Sequence, residues 1–322
     1  MIMRADLGVE FVEPYTFDQQ EYYLVYDKTD APADPNAHLR TDMIPSSVPL
    51  ATADQQPFTP RIVERGPLLE TVKLKVYRYA VSTTSGFSED HGGTLESVLS
   101  AVVNYTNQVS AVFERDIAMR LQLIANEEKV IFLTPATDLF TGTEVGGWAG
   151  QNTGILNTNV GASKYDIGHV YSRYLGGPAS GVGGLGGCSV SKGVGASSGN
   201  GTGVYETRFR VVIGQEIGHQ MAGGHTWNRC DGGGGRSQTT AFEPGSGSTI
   251  MSYGGVCGPD NVQNACDLYY HAGSIEEIRN YILYAEGNQC GTFVETGNTI
   301  PTVTLPYQNG FYIPIVTPFQ LK

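Results

Sequence analysis

Residues 211–227 read VVIGQEIGHQMAGGHTW, and their spacing decides how the rest of the chain is interpreted. In a helix, Gln215 and His219 are four residues apart and therefore point from the same face. Glu216, one residue along, lies beside them. The segment predicts a helix over residues 205–222 that directs two candidate ligands and one carboxylate into a single cleft.

Two glycines, Gly223 and Gly224, end this helix and give the backbone the freedom to turn sharply. We expect the turn to bring His225 back to the side chains of the helix. Three protein ligands around a tetrahedral zinc ion leave the fourth position open to water. The sequence therefore predicts a zinc site in which His219, His225 and Gln215 are the metal ligands.

Glu216 is the predicted catalytic residue of this site. A carboxylate beside the open position can act as a general base and take the proton of a water molecule that attacks a peptide carbonyl. Such a reaction needs no nucleophilic side chain. The expected chemistry is the hydrolysis of peptide bonds.

The same stretch departs from the metalloprotease pattern H-E-x-x-H-x-x-G-x-x-H at two positions. Gln215 stands at the first histidine, and Ala222 stands at the glycine, where we expect Gly223 to take over the turn. An amide oxygen reaches about as far as an imidazole nitrogen but is a poorer zinc ligand. Since the loss of even a supporting residue typically costs 10–100-fold in metal affinity or activity, the sequence predicts weakened zinc binding.

Composition excludes several classes of partner. The chain has 322 residues and a formal net charge of −12, which argues against nucleic acid or an anionic membrane surface. No run of eighteen or more apolar residues is present, so no membrane span is predicted. The 42 glycines, about twice the usual share, indicate long irregular loops on a compact scaffold.

Five cysteines lie in the second half of the chain and form no C-x-x-C pair. Two disulfides with one thiol left over would suit an exported protein, whereas five reduced cysteines would suit a cytosolic one. We favour the first interpretation and leave the pairing open. His91, His169 and His271 are interpreted as structural histidines rather than ligands.

Alternation and helical periodicity give a coarse outline of the fold. Residues 72–82, 117–125, 129–133 and 165–172 are predicted strands, and residues 94–113 form a predicted amphipathic helix with Thr94 as its N-cap. A last helix at 274–285 is expected to begin with a capping box of Ser274 and Glu277. This order of elements predicts an α/β layer with a mostly parallel sheet.

Several segments together resemble one protein family. The helix and the later TIMSYGGVCG resemble a metzincin metalloprotease with its Met-turn, and YRYAVSTTSGFSEDHGGT, YDIGHVYS and EPGSGSTIMSYGGVCG are similar to segments of the bacterial reprolysin-like (adamalysin-related) metallopeptidases. The likeness covers roughly residues 70–292. It implies a two-lobed α/β fold, with a five-stranded sheet in the upper lobe, a small irregular lower lobe, and a peptide or protein substrate in the cleft between them.

The resemblance also implies roles for individual residues. His219 and His225 would bind zinc, Glu216 would be the general base, and Met251 would pack beneath the metal without a bond to it. Tyr253 is expected to pack rather than to take part in catalysis. Calcium binding by the acidic loop 259–267 is left open.

Domain organisation and localisation are inferred from the chain ends. Residues 1–66 resemble the tail of a propeptide with a linker at 27–60, residues 67–292 form the protease domain, and residues 293–322 resemble the start of a downstream β-module. We therefore expect a piece of a larger secreted precursor, although the chain starts without a signal peptide. The alternative function is a catalytically impaired metzincin, a pseudoenzyme that binds peptides or a protein through the same cleft.

Overall fold

The computed structural model describes residues 2–4, 8–16, 19–27, 71–173, 180–184, 186–199, 205–231 and 234–299. The N-terminal part forms an antiparallel sheet of three strands in sequence order, β1 (Ile2–Arg4), β2 (Gly8–Thr16) and β3 (Gln19–Asp27). The predicted linker beyond Asp27 and residues 300–322 of the predicted downstream module lie outside the described residues.

A six-stranded sheet forms the centre of the structure. Its strands are β4 (Thr71–Thr83), β5 (Met119–Leu123), β6 (Ile167–Arg173), β7 (Ser180–Gly183), β8 (Gly195–Gly199) and β9 (Thr292–Thr299). The order is β5-β4-β6-β8-β7, parallel except for β7, which runs antiparallel to β8 at one edge. β9 pairs antiparallel with the first half of β4. The α/β class with a mostly parallel sheet is confirmed, and β9 adds a sixth strand to the expected five.

Among the residues that the structure describes, five α-helices accompany this sheet: α1 (Ser85–Asp90), α2 (Leu95–Ile117), α3 (Val145–Asn159), α4 (Tyr205–Gln220) and α5 (Ala272–Tyr284). α2 begins where it was predicted to begin, because the Thr94 side chain accepts a hydrogen bond from the Ser97 backbone. It ends at Ala118, which adopts the left-handed conformation with φ 60°.

The helices cover both faces of the sheet. Tyr77, Tyr79 and Val81 of β4 alternate onto one face, where they share a core with residues of α2, α4 and α5. Ala80 points to the opposite face, where it packs with Leu156 of α3. α4 is thereby fixed against the sheet along its length.

The region between α4 and α5 has little regular structure. Its described residues contain one short 3-10 helix, Gly258–Asp260, and otherwise consist of turns and isolated bridges. This region corresponds to the predicted small irregular lower lobe. It contributes His225 and Met251 to the site described below.

Two local predictions were wrong. Residues 129–133 were predicted as a strand, but Glu127–Val130 form a 3-10 helix, and Ile131 makes only an isolated bridge to Thr83. The predicted capping box of Ser274 and Glu277 is also absent. α5 starts earlier, at Ala272, with His271 as the N-cap whose ring accepts a hydrogen bond from the Gly273 N–H. The Glu277 carboxylate instead accepts one from the Gly224 N–H.

Four of the five cysteines are paired. Disulfides join Cys188 to Cys290 and Cys230 to Cys257, and Cys266 is a buried thiol outside both bridges. The prediction of two disulfides and one thiol is confirmed. The second bridge joins the loop after His225 to the segment after Met251.

Candidate functional site

α4 ends in a Schellman motif immediately after the predicted ligand His219. The Gly223 N–H donates to the Gly218 carbonyl (2.8 Å), and the Ala222 N–H donates to the His219 carbonyl (3.0 Å). In this motif the residue after the cap is left-handed, and here that residue is Ala222, with φ 69°. The motif turns the chain back toward the helix within four residues.

The expectation that Gly223 takes over the turn at Ala222 was therefore wrong. Ala222 adopts the left-handed conformation itself, although this costs an L-residue roughly 1–2 kcal/mol. Gly223 has another task, because a Cβ atom at this position would lie only 3.1 Å from the Gly218 carbonyl oxygen and 3.2 Å from Ile278. The missing side chain lets the returning chain pass close to α4 and α5.

His219 and His225 come together at the end of this turn. Their Nε2 atoms lie 3.1 Å apart. The Nδ1 atom of His219 lies 2.7 Å from the Gly223 carbonyl, and that of His225 lies 2.6 Å from the Gly235 carbonyl. Since a carbonyl can only accept, both Nδ1 atoms must donate, and the two Nε2 atoms face each other with lone pairs in the neutral rings.

A proton is a poor bridge between these two nitrogens. Burial lowers the pKa of His219 to about 3, with a further lowering by the nearby His225, and burial also lowers the pKa of His225. Two neutral imidazoles that point their lone pairs at one another are instead suited to share a cation. Imidazole with its second N–H bonded to a carbonyl is the common arrangement of metal-binding histidine.

Gln215 lies one helical turn before His219 and is fully buried. Neither its amide oxygen nor its amide nitrogen has a hydrogen-bond partner. Buried side-chain amides nearly always have partners, so two orphaned atoms on one residue call for an explanation. A metal ion bound by the amide oxygen would account for that atom, while the amide nitrogen would still lack a partner.

Glu216 is covered by the edge strand β7. A Cβ atom added at Gly181 would lie 2.3 Å from its Cγ, and one at Gly183 would lie 2.1 Å from its backbone oxygen. Burial raises the pKa of Glu216 to about 8, against the opposite effect of a backbone hydrogen bond from Gly183. The glycines of β7 thus leave the space in which this carboxylate lies.

Met251 and Tyr253 close the site from the lower lobe. Met251 is fully buried, and its sulfur would lie 2.5 Å from a Cβ atom added at Gly218 of α4. The Tyr253 ring meets the His225 ring edge to face at 4.7 Å between centroids. The Tyr253 hydroxyl is directed to the Gly234 carbonyl at 3.5 Å. Both side chains support His225 or α4 by packing.

The other histidines singled out in the sequence lie away from this pair and are engaged elsewhere. His169 is fully buried between Gln220 and Ser197, at 2.8 Å from each, and His91 lies 2.8 Å from the Phe87 carbonyl. His271 caps α5. These contacts agree with the structural roles predicted for them.

Sequence reasoning missed one residue of this region, Glu243. Burial alone would raise its pKa, but hydrogen bonds from Thr226, Thr249 and Ser248 hold the pKa below its usual value. Glu243 lies 18 residues after His225, and no spacing rule connects the two. The signal that could have found it is a charged residue directly before the turn PGSGS.

The donor set fits a zinc ion with an unusual third ligand. Within the described part of the chain, no group of three or more His, Cys, Asp or Glu side chains converges as a metal site. A metal ion would therefore rest on the two imidazoles and on a donor of another type. The expected donor of another type is Gln215, which lies one helical turn before His219 in α4 and whose amide has no hydrogen-bond partner.

In loop 259–267, where calcium binding was left open, the carboxylate of Asp260 forms an ion pair with Arg229, at 3.1 Å between Nε and Oδ1. No helix among the described residues is long and apolar enough to cross a membrane.

One of three comparisons with known proteins identifies a family. Residues 73–282 match the family described as "Metallo-peptidase family M12B Reprolysin-like". A comparison with curated proteins finds no match. Among solved structures, the chain is similar to one described as "Structure of a chaperone-substrate complex", at 12% identity and a TM-score of 0.38, over 66% of this chain and 34% of that one. The chain thus spans about a third of that structure's length, and the likeness is too low to support an argument.

Proposed function

Because the chain belongs to the reprolysin-like metallopeptidases of family M12B, we propose that it is a secreted zinc-dependent endopeptidase that cleaves peptide or protein substrates. The single observation that carries this proposal is the His219–His225 pair, whose Nε2 atoms converge to 3.1 Å. Two tetrahedral zinc ligands at the usual bond length are separated by roughly the same distance, about 3.3 Å.

His219, His225 and Gln215 would hold the zinc ion. The carbonyls of Gly223 and Gly235 fix both rings in the tautomer that directs Nε2 toward the shared point. The buried amide of Gln215 would offer its oxygen from the preceding turn of α4. When bound, zinc supplies Lewis-acid chemistry, because it polarises a peptide carbonyl and acidifies water.

Glu216 would act as the general base. It can accept a proton only as the carboxylate, and a cation held by the neighbouring imidazoles favours that form through attraction between opposite charges. The Gly183 N–H, which bonds to the carboxylate, would orient it toward the cleft. Gly181 and Gly183 together keep the space above Glu216 free of side chains.

Secretion is supported by the cysteines. The bridges Cys188–Cys290 and Cys230–Cys257 require an oxidising compartment to persist, which in most cells lies outside the cytosol. The remaining thiol, Cys266, is buried and protected from further pairing.

Gln215 also favours a second candidate function. If its neutral amide binds zinc too weakly to sustain catalysis, the same cleft would serve as the peptide-binding surface of an inactive enzyme. All other parts of the site, including Glu216 and Met251, would then be retained for their shape.

The test is a joint measurement of zinc content and casein hydrolysis on dialysed protein. Wild type, Gln215→His, Gln215→Leu and Glu216→Gln are compared, since leucine fills the buried space of Gln215 without a donor. Stoichiometric zinc and cleavage in wild type, zinc without cleavage in Glu216→Gln, and loss of zinc in Gln215→Leu would support the enzyme. No zinc and no cleavage until Gln215→His restores both would overturn it in favour of the binding function.

A further inference from the structure

Glu243 is a buried carboxylate at the centre of the lower lobe, 6% exposed. Its Oε1 accepts hydrogen bonds from the backbone N–H groups of Ser248 (2.9 Å) and Thr249 (3.1 Å). Its Oε2 accepts from the hydroxyl groups of Thr249 (2.6 Å) and Thr226. The Ser248 hydroxyl adds a longer bond to Oε1 at 3.4 Å, so five neutral donors converge on one charge.

These donors come from the two segments that frame the metal-binding pair. Thr226 directly follows His225, and Ser248 and Thr249 lead into Met251. The backbone completes the connection, because the Thr226 N–H donates to the Met251 carbonyl (3.0 Å) and the Glu243 N–H donates to the Thr226 carbonyl (2.8 Å). One side chain thus ties its own turn to the segment after His225 and to the segment before Met251.

The hydrogen bonds around Glu243 are linked to both His219 and His225. On one side, the backbone of His225 is fixed through Thr226, while its ring is fixed by the Gly235 carbonyl. On the other side, Met251 packs its sulfur against Gly218, the residue before His219. Movement of the Glu243 carboxylate would loosen His225 directly and the support of α4 indirectly.

Resting on the proposed zinc site, we propose that Glu243 is a positioning residue that holds His225 and the Met251 turn in the geometry required for metal binding. A carboxylate suits this position because both of its oxygens accept, and the two backbone N–H groups can only donate. Glutamine would keep only one accepting oxygen, and its NH2 group would force the two threonine hydroxyls to turn and accept. The role is one of positioning, since Glu243 contacts neither the metal-binding atoms nor the cleft.

A purely structural role for Glu243 is the alternative, and the chain contains a matched control. Asp166 is also a buried carboxylate, and it accepts hydrogen bonds from the backbone N–H, Nε and Nη2 of Arg78 at 2.8, 3.0 and 2.6 Å. It joins β4 to the segment before β6 rather than supporting the histidine pair. Asp166→Asn should therefore destabilise the fold without changing metal affinity.

The experiment is a Co²⁺ titration of the metal-free full chain, in which the ligand-field absorption of the ion is the measured signal. We expect Glu243→Gln to weaken Co²⁺ binding about tenfold or more and to change the spectrum, as is typical when residues that support ligands are altered. Thr226→Val should have a similar, smaller effect, and Thr226→Ser should restore wild-type binding. Wild-type affinity and spectrum in Glu243→Gln, or an equal loss in Asp166→Asn, would overturn the proposal.

Failure of the proposed zinc site would be recognised separately. If the wild type takes up no Co²⁺, the comparison is made in the Gln215→His background, with and without Glu243→Gln. The ring tautomer of His225 in metal-free protein, measured by ¹⁵N NMR, is recorded in either case. A fixed Nδ1–H tautomer in wild type that becomes mixed in Glu243→Gln supports positioning, and a tautomer unchanged by the substitution overturns it even when no variant binds metal.

Discussion

The Nε2 atoms of His219 and His225 lie 3.1 Å apart, while each Nδ1 atom lies against a backbone carbonyl. Two acceptor nitrogens at this distance repel each other unless a cation lies between them. The orientation of the two rings does not depend on the identity of residue 215, because the carbonyls that fix the rings belong to Gly223 and Gly235. The lone pairs of the two rings therefore converge even though the pattern's first histidine is replaced by Gln215.

The first prediction concerns the response of stability to zinc. We expect zinc to raise the unfolding free energy of the metal-free protein by about 2.7 kcal/mol at a free concentration one hundred times the dissociation constant. His225→Asn should lose this response, because asparagine can keep the hydrogen bond to the Gly235 carbonyl but has no counterpart of Nε2. Thermal unfolding with and without zinc provides the measurement. An equal zinc response in His225→Asn would mean that the ion binds elsewhere.

The second prediction concerns the glycines of β7. Gly183→Ala would place a Cβ atom 2.1 Å from the Glu216 backbone oxygen and 2.9 Å from the His219 Cβ. We expect a loss of about 1–3 kcal/mol in stability, as for other overpacked sites, together with a loss of peptide hydrolysis. Urea unfolding and a peptidase assay measure the two effects.

Gly154→Ala is the control for this substitution. Gly154 lies within α3, and no atom lies within 4 Å of a Cβ atom added there. Alanine should stabilise the helix by roughly 0.5–1 kcal/mol and leave activity unchanged. If Gly183→Ala behaved like Gly154→Ala, β7 could not lie against Glu216 as it does here.

Much of the scaffold could be predicted from periodicity. α2 follows from apolar spacing and from the N-cap at Thr94, whereas α4 was predicted from the metalloprotease pattern. The turn between His219 and His225 was predicted from two glycines, although its left-handed residue is Ala222. Residues 129–133 show the limit of this reasoning. Their apolar run has strand propensity, but only Ile131 finds a strand partner, at Thr83. Pairing partners depend on tertiary structure, which a short run of residues does not encode.

The finer parts of the site depend on contacts between distant segments. The left-handed conformation of Ala222 could not be predicted, because it follows from how closely Gly223 approaches Gly218 and Ile278. Glu243 could not be predicted either, since its donors lie at positions 226, 248 and 249 with no periodic relation to it.

The third prediction follows from the conformation of Ala222. Since glycine adopts a left-handed backbone without the clash of a Cβ atom, Ala222→Gly should stabilise the protein by about 1 kcal/mol. The gain is reduced somewhat because glycine also makes the unfolded chain more flexible. For a domain of this size, the midpoint of thermal unfolding should rise by roughly 2–4 °C.

Ala111→Gly is the matched control. Ala111 is an exposed residue within α2, where the backbone is right-handed. Glycine should cost roughly 1 kcal/mol at this position. Changes of the same sign in both variants would contradict the left-handed conformation of Ala222.

The last prediction concerns acid stability and His169. Burial lowers the pKa of His169 to about 4, although its hydrogen bond with Gln220 acts in the opposite direction. In the unfolded chain the pKa of histidine is about 6.5. Below pH 6.5 the unfolded chain therefore binds a proton that the folded protein does not, so the unfolding free energy falls as the pH is lowered toward 4.

The difference of about 2.5 between the pKa values of the unfolded and folded states corresponds to a loss of unfolding free energy on the order of 3 kcal/mol between pH 6.5 and 4. His169→Gln should be less stable than wild type at pH 7 but should lack this part of the pH dependence. Urea unfolding in the presence of a chelator should show the stability difference between the two proteins shrinking as the pH falls. Parallel curves would mean that His169 titrates alike in the folded and unfolded states, which its complete burial between Gln220 and Ser197 does not allow.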